Sequence, residues 1–151
     1  MALQLYGHDL VPGTLVAERS VLLDAAAFKA FAQLTGDAHP IHYDAAHAAS
    51  KGLRAPIAHG LLIIAVTALG AMPLSQQLGD SMLAMLGAQA RFVSPVYVGD
   101  TVAVRMRVAS ITVKSSNRCI AAFDVDVLSA TGELHAQVQQ QYMLKTSREA
   151  A

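Results

Sequence analysis

The sequence predicts an α+β fold: one domain over residues 1–151, in which a curved antiparallel sheet wraps around a central apolar helix. Three observations predict it. The stretch "LLIIAVTALGAM" (61–72) is apolar on nearly every side of a helix, so it needs cover from the rest of the chain. The second half of the chain alternates apolar and polar residues over long segments, as strands with one buried face do. Short turn sequences separate those segments, as in an antiparallel meander. A fully apolar helix and several half-apolar strands satisfy each other's need for burial.

The elements follow in order. Residues 14–23 ("TLVAERSVLL") have strand character. Asp24 is placed as the N-cap of a helix over "AAAFKAFAQLT", which carries Phe28, Phe31, Ala32 and Leu34 at helical spacing. Gly36 can end that helix in a left-handed turn. Pro40 disfavours helix at His39, so 36–41 reads as loop. Asp44 caps a short helix, "AAHAAS", and a second loop, "KGLRAPIAHG", follows. The central helix is predicted from Gly60 to Met72, with Pro73 stopping it. A strand is expected over 81–93, then a turn at Gly99-Asp100. "TVAVRMRVASITV" sets Val102, Val104, Met106 and Val108 against Ala103, Arg105, Arg107 and Ala109. "SSN" (115–117) and "SATG" (129–132) read as hairpin turns. "LHAQVQQQYML" sets Leu134, Ala136, Val138, Gln140 and Tyr142 against His135, Gln137, Gln139, Gln141 and Met143. One such sheet leaves an open edge and a poorly covered side of the helix, so a homodimer, or an assembly of dimers, is expected.

Composition narrows the function. Hydrophobic residues make up 54% and charged residues 15%, which excludes a disordered chain. Eleven basic residues balance 11 acidic ones, so no nucleic-acid footprint is present, and the absence of Trp removes the best base-stacking platform. The N-terminus "MALQLYGHDL" shows no signal-peptide pattern. The apolar run 61–72 is shorter than the roughly 20 residues a membrane span needs. Cys119 is the single cysteine, so no disulfide forms within the chain and a cytoplasmic protein is expected. Its place in the alternating segment "RCIAAFDVDVL" suits a small core residue.

"TGDAHPIH" (35–42) concentrates an aspartate and two histidines on a segment that is neither helix nor strand. Asp37 and His42, five residues apart on a bent loop, can converge on one water as an acid/base pair. The plainer alternative is that Asp37 caps the turn and His42 packs against the next helix. Gly60, preceded by His59, stands where a helix N-terminus offers unpaired N–H groups, and a glycine there lets a ligand oxygen approach. Such a site can hold a thioester oxygen as it gains charge, or the glycine merely relieves crowding. Asp37, His39, His42 and His47 fit no standard zinc spacing, so no metal is expected. Lys51, Arg54, Arg91, Arg105, Arg107 and Lys114 are candidate phosphate contacts with nothing to choose among them.

These residues resemble a family. "FAQLTGDAHPIHYDAAHAAS" looks like the hydratase 2 motif of MaoC-like, (R)-specific enoyl-CoA hydratases, with Phe31, Thr35, Gly36, Asp37, Pro40, Ile41 and His42 matching in order. "APIAHGLLIIAV" resembles the family's Ile-x-His-Gly approach to the central helix, and "ARFVSPVYVGDTVAV" its Phe-x-x-Pro-Val-x-x-Gly-Asp connection. His39 departs from the family's usual Asn. Ala68 stands near a position that can carry a polar supporting residue; Thr67, next to it, would point elsewhere on a helix. The resemblance implies a hot-dog fold, a homodimer, and hydration of trans-2-enoyl thioesters of CoA or an acyl-carrier protein to (R)-3-hydroxyacyl thioesters, with dehydration as the reverse. It implies His42 as base, Asp37 as proton donor to C2, the Gly60 N–H as oxyanion donor, and Ile57, Ala58 and His59 beside the substrate. It implies no cofactor beyond the coenzyme A of the substrate. The alternatives are a hot-dog acyl-thioester hydrolase and a non-catalytic subunit that binds acyl thioesters.

Overall fold

In the computed structural model, which describes residues 3–148, the first strand, β1 (Leu15–Leu23), leads into helix α1 (Ala25–Thr35). A single 3-10 turn (Pro40–His42) and the short helix α2 (Ala45–Ser50) follow. After the second loop come α3 (Gly60–Ala65) and α4 (Leu74–Gln77). Four long strands complete the chain: β2 (Met82–Phe92), β3 (Asp100–Ser115), β4 (Arg118–Leu128) and β5 (Leu134–Leu144). They form one antiparallel sheet in the order β1-β3-β4-β5-β2.

The predicted alternation sets the core. Val102, Val104, Met106 and Val108 of β3 are buried, while Arg105 and Arg107 between them face water. In register beside them, β4 contributes Cys119, Ala121, Phe123, Val125 and Val127, and β5 contributes Ala136, Val138 and Leu144. Phe28 of α1, Leu62 and Ile63 of α3, and Leu69, Met72, Leu74 and Leu78 pack onto this inner face. Each such side chain contributes about 1.5–3 kcal/mol by leaving water. Cys119 is core filler as expected, and burial pushes its thiol pKa up. The 3-10 turn before β1 (Gly7–Asp9) is pinned beside it: Gly7 donates to the Lys145 carbonyl at 3.0 Å, and a Cβ on Gly7 would collide with Cys119 Sγ.

The central helix departs from prediction. It ends at Ala65 and not at Met72. Just past that end the Thr67 hydroxyl turns back onto the Ile64 carbonyl at 2.7 Å, a bond that competes with the helical ladder. Gln140 of β5 then holds Thr67, donating from Nε2 to its Oγ1 at 2.6 Å and to its carbonyl at 3.2 Å. The chain continues through a 3-10 turn (Leu69–Ala71), and Pro73 opens α4 in place of stopping a helix. Thr67 therefore points into the core, against the orientation a continuous helix predicts. Nor is α3 covered all round, because Leu61 on its outer side is 66% exposed.

Candidate active site

The site is built at the end of α1. Gly36 closes that helix at φ 77°, donating to the Ala32 carbonyl at 2.8 Å. The Thr35 hydroxyl bonds back to Phe31 O at 2.7 Å and accepts the Asp37 N–H at 3.2 Å, which fixes where Asp37 leaves the helix. Pro40 supplies the first residue of the 3-10 turn, where its missing N–H costs nothing. His39 caps that turn, its Nδ1 accepting the Ile41 N–H at 3.2 Å. An asparagine oxygen makes the same kind of bond, so the departure at His39 preserves the turn. Asp44 caps α2 through bonds from Ala46 and His47, and these two N–H groups hold its carboxyl below the usual carboxylate range.

His42 is oriented by the second loop. Its Nδ1 lies 2.7 Å from the Ile57 carbonyl. A carbonyl only accepts, so Nδ1 carries the proton and Nε2 presents a lone pair. Ile57 is held in turn by a bond to the Ile41 carbonyl at 3.2 Å, and Ala58 by one to Val96 O at 2.7 Å. A carboxylate oxygen of Asp37, a ring nitrogen of His42 and a ring nitrogen of His59 all lie within 4.8 Å of one another. A carboxyl oxygen and a ring nitrogen that close can share one water, since each hydrogen bond spans about 2.8 Å.

Beside this pair is a largely apolar cavity of about 370 Å³, lined by His42, Ile57, Ala58 and Gly60 among others, with Phe92 and Val96 opposite. Gly60 begins α3, whose first bonded amide is Ile63 N–H to the His59 carbonyl. The Gly60 N–H thus belongs to the unpaired first turn. The structure places His42, Gly60, Ile57 and Ala58 on the wall of one cavity. Asp37 reaches His42 from an exposed position, and His59, which the resemblance sets beside the substrate, is not on the cavity wall. It is 2% exposed and sits behind His42, off the cavity wall, its ring stacked on that of His42 with centroids 3.8 Å apart.

The stack bears on metal binding. Nitrogen lone pairs lie in the ring planes, and planes inclined by only 28° meet far beyond the about 2 Å of a metal–nitrogen bond. Asp37, His42 and His59 are close without converging on one ion. Burial, and next the nearby His42, lower the His59 pKa below its ordinary 6.5. Tyr43, whose hydroxyl lies 2.7 Å from His59 Nε2, is pushed up by burial and by Asp37. Neither Tyr43 nor the stacking of His59 was foreseen. The available signal was a second histidine directly before the helix-opening glycine. Of the candidate phosphate contacts, Arg54 pairs with Asp100 at 3.2 Å and lies over the Tyr97 ring, and Arg105 pairs with Glu18 at 3.2 Å.

Known proteins resemble this chain. Residues 11–127 match the family described as MaoC like domain. An (R)-specific enoyl-CoA hydratase of Aeromonas caviae is 37% identical over 95 residues, which cover 63% of this chain and 69% of that protein. The unliganded R-hydratase PhaJ1 of Pseudomonas aeruginosa superposes with a TM-score of 0.75 at 27% identity, over 98% of this chain and 92% of the other. A monoamine oxidase regulatory protein of Archaeoglobus fulgius shares the fold at a TM-score of 0.88 and 22% identity, over 97% and 98% of the two chains. On the family match, which spans the Asp37–His42 loop, the cavity and most of the sheet, the chain belongs to the MaoC-like domain family.

Proposed function

We propose that this protein is an (R)-specific enoyl-thioester hydratase, adding water to trans-2-enoyl-CoA or the corresponding acyl-carrier thioester and running the reverse dehydration. The observation that carries the reading is the approach of Asp37 and His42 within 4.8 Å, beside a cavity that also contains the amino end of α3. The relative from Aeromonas caviae, named for this activity, supports it.

The enoyl thioester lies along the cavity with its carbonyl oxygen on the Gly60 N–H. One water sits between Asp37 and His42. His42 Nε2 takes a proton from that water as its oxygen bonds C3. The C2–C3 π pair shifts toward the thioester, and its oxygen carries the charge against the positive end of the helix. C2 then takes the proton that the Asp37 carboxyl group carries at the start of the cycle, and transfer from His42 back to Asp37 restores the protonated acid and the neutral base. Both new bonds form on one face, which gives syn addition. No step calls for a redox group.

Crotonyl-CoA tests the reading. Loss of the enoyl absorbance without release of thiol is the expected result. Thiol release means a thioesterase, and binding with neither change means a non-catalytic carrier.

The working form proposed is a homodimer. The edge strand β2 exposes Leu83, Met85, Leu86 and Phe92, and Leu61 and Val93 extend this apolar surface. An unpaired apolar edge of this kind is covered in stable proteins. Sedimentation should give twice the chain mass for the wild type and a smaller species for Met85→Lys; a monomeric wild type would refute the dimer. A single buried thiol suits a cytoplasmic setting.

A further inference from the structure

The reaction proposed above uses Asp37, His42 and Gly60 and leaves His59 without a role. Yet its imidazole is among the most buried polar groups, and its Nδ1 has no hydrogen-bond partner among the described residues. Burying a polar ring with one nitrogen unpaired is costly, so the position calls for a physical reason.

The surrounding hydrogen bonds favour one state of the ring. The Tyr43 hydroxyl has three neighbours: the carbonyls of Phe28 and Asp37, both at 3.1 Å, and His59 Nε2 at 2.7 Å. It has one hydrogen to give. If that hydrogen went to Nε2, the buried Nδ1 would carry an orphaned N–H, and such donors are rarer in proteins than unpaired acceptors. If it goes to a main-chain carbonyl, the Tyr43 oxygen accepts from His59 Nε2–H and only a lone pair is left unpaired. The second arrangement satisfies more groups.

The ring face then has a purpose. The bond from Nδ1 to the Ile57 carbonyl at 2.7 Å holds His42 along one axis but leaves the ring free to rock about it. His59 stacks against that ring, and Phe31 and Phe28 of α1 pack behind, with centroids 4.7 and 5.8 Å from His59. We propose that His59 is a positioning residue: a neutral Nε2–H imidazole, locked by the Tyr43 hydroxyl, that sets the plane of His42 while Tyr43 ties the same lock to the main-chain carbonyls of Phe28 and Asp37. The groups facing His59 are Phe28 and Phe31 from α1 and Asp37, His42 and Tyr43 from the loop. A neutral neighbour lets His42 become an imidazolium during turnover without repulsion. The kinetic part of this inference rests on the hydratase reading; the structural part does not.

The test uses the full chain labelled with ¹⁵N in its imidazoles. NMR between pH 5 and 8 should show one histidine that stays a neutral Nε2–H tautomer and that Tyr43→Phe perturbs. The same Tyr43→Phe variant should lower kcat on crotonyl-CoA by about tenfold and leave KM within about twofold, because it moves a reacting group without removing a substrate contact. An Nδ1–H tautomer at His59, its protonation within that range, or an unchanged kcat in Tyr43→Phe overturns the proposal. A wild type that does not hydrate crotonyl-CoA sinks the enzymatic reading, and the NMR result then decides the strut by itself.

Discussion

Replacing Gly60 with alanine separates a steric role for that glycine from an electrostatic one. Gly60 is not among the positive-φ glycines, so alanine suits the backbone. The added Cβ would lie 3.0 and 3.1 Å from two ring carbons of Phe92. Carbon pairs prefer about 3.5–4.0 Å, so the ring must retreat by about 0.5 Å. Phe92 is 48% exposed and can swing outward, and alanine favours helix over glycine. The two effects offset, so Tm should stay within about 3 °C of the wild type. The methyl group nevertheless occupies the cavity wall beside the N–H that would receive the thioester oxygen. Losing one such donor costs on the order of 100-fold in rate, so kcat for crotonyl-CoA hydration should fall by about that factor. Gly60→Ala combined with Phe92→Leu gives the methyl room. If displacement of Phe92 is the whole effect, the double variant recovers; if access to the N–H is blocked, it stays slow. Hydration by Gly60→Ala within about threefold of wild type would remove Gly60 from the oxyanion site.

Three further outcomes are expected. Asp37→Asn and His42→Ala should each slow hydration by about a hundredfold or more with an unchanged circular dichroism spectrum, and activity within a fewfold of wild type would strike that residue from the mechanism. Gln140→Leu leaves the Tyr142 hydroxyl and Thr67 without their buried partner, so chemical denaturation should show a loss of about 1–3 kcal/mol; no change would mean that the network adds nothing. Below pH 6.5 the unfolded chain protonates His59 more fully than the folded chain, whose pKa is lowered, so the unfolded state binds more protons and stability falls as pH falls toward the folded pKa. Denaturation of the wild type between pH 7.5 and 5 should show that loss, and His59→Asn should lessen it; equal slopes would mean that His59 is not held neutral.

The Thr67–Gln140 pair marks where sequence reading stops. Apolar periodicity named the strands, and β3 and β5 bury nearly the predicted faces, because alternation is a local property of the chain. Gln140 stands at a core register, which was visible, but its partner is 73 residues away, and no local rule connects them. For that reason the central helix reads as running to Met72, whereas it ends at Ala65, where Thr67 is held by a side chain from β5.

The loop that carries Asp37 and His42 divides the same way. Gly36, Pro40 and the caps at Asp24 and Asp44 act on their own neighbours, so the bend that carries Asp37 and His42 is determined by the sequence alone. That His42 presents Nε2 depends on the Ile57 carbonyl, 15 residues on, and its ring plane on His59. Local chemistry shapes turns, but the direction of an imidazole is set by whatever packs against it, and only the folded chain brings those groups within hydrogen-bonding distance.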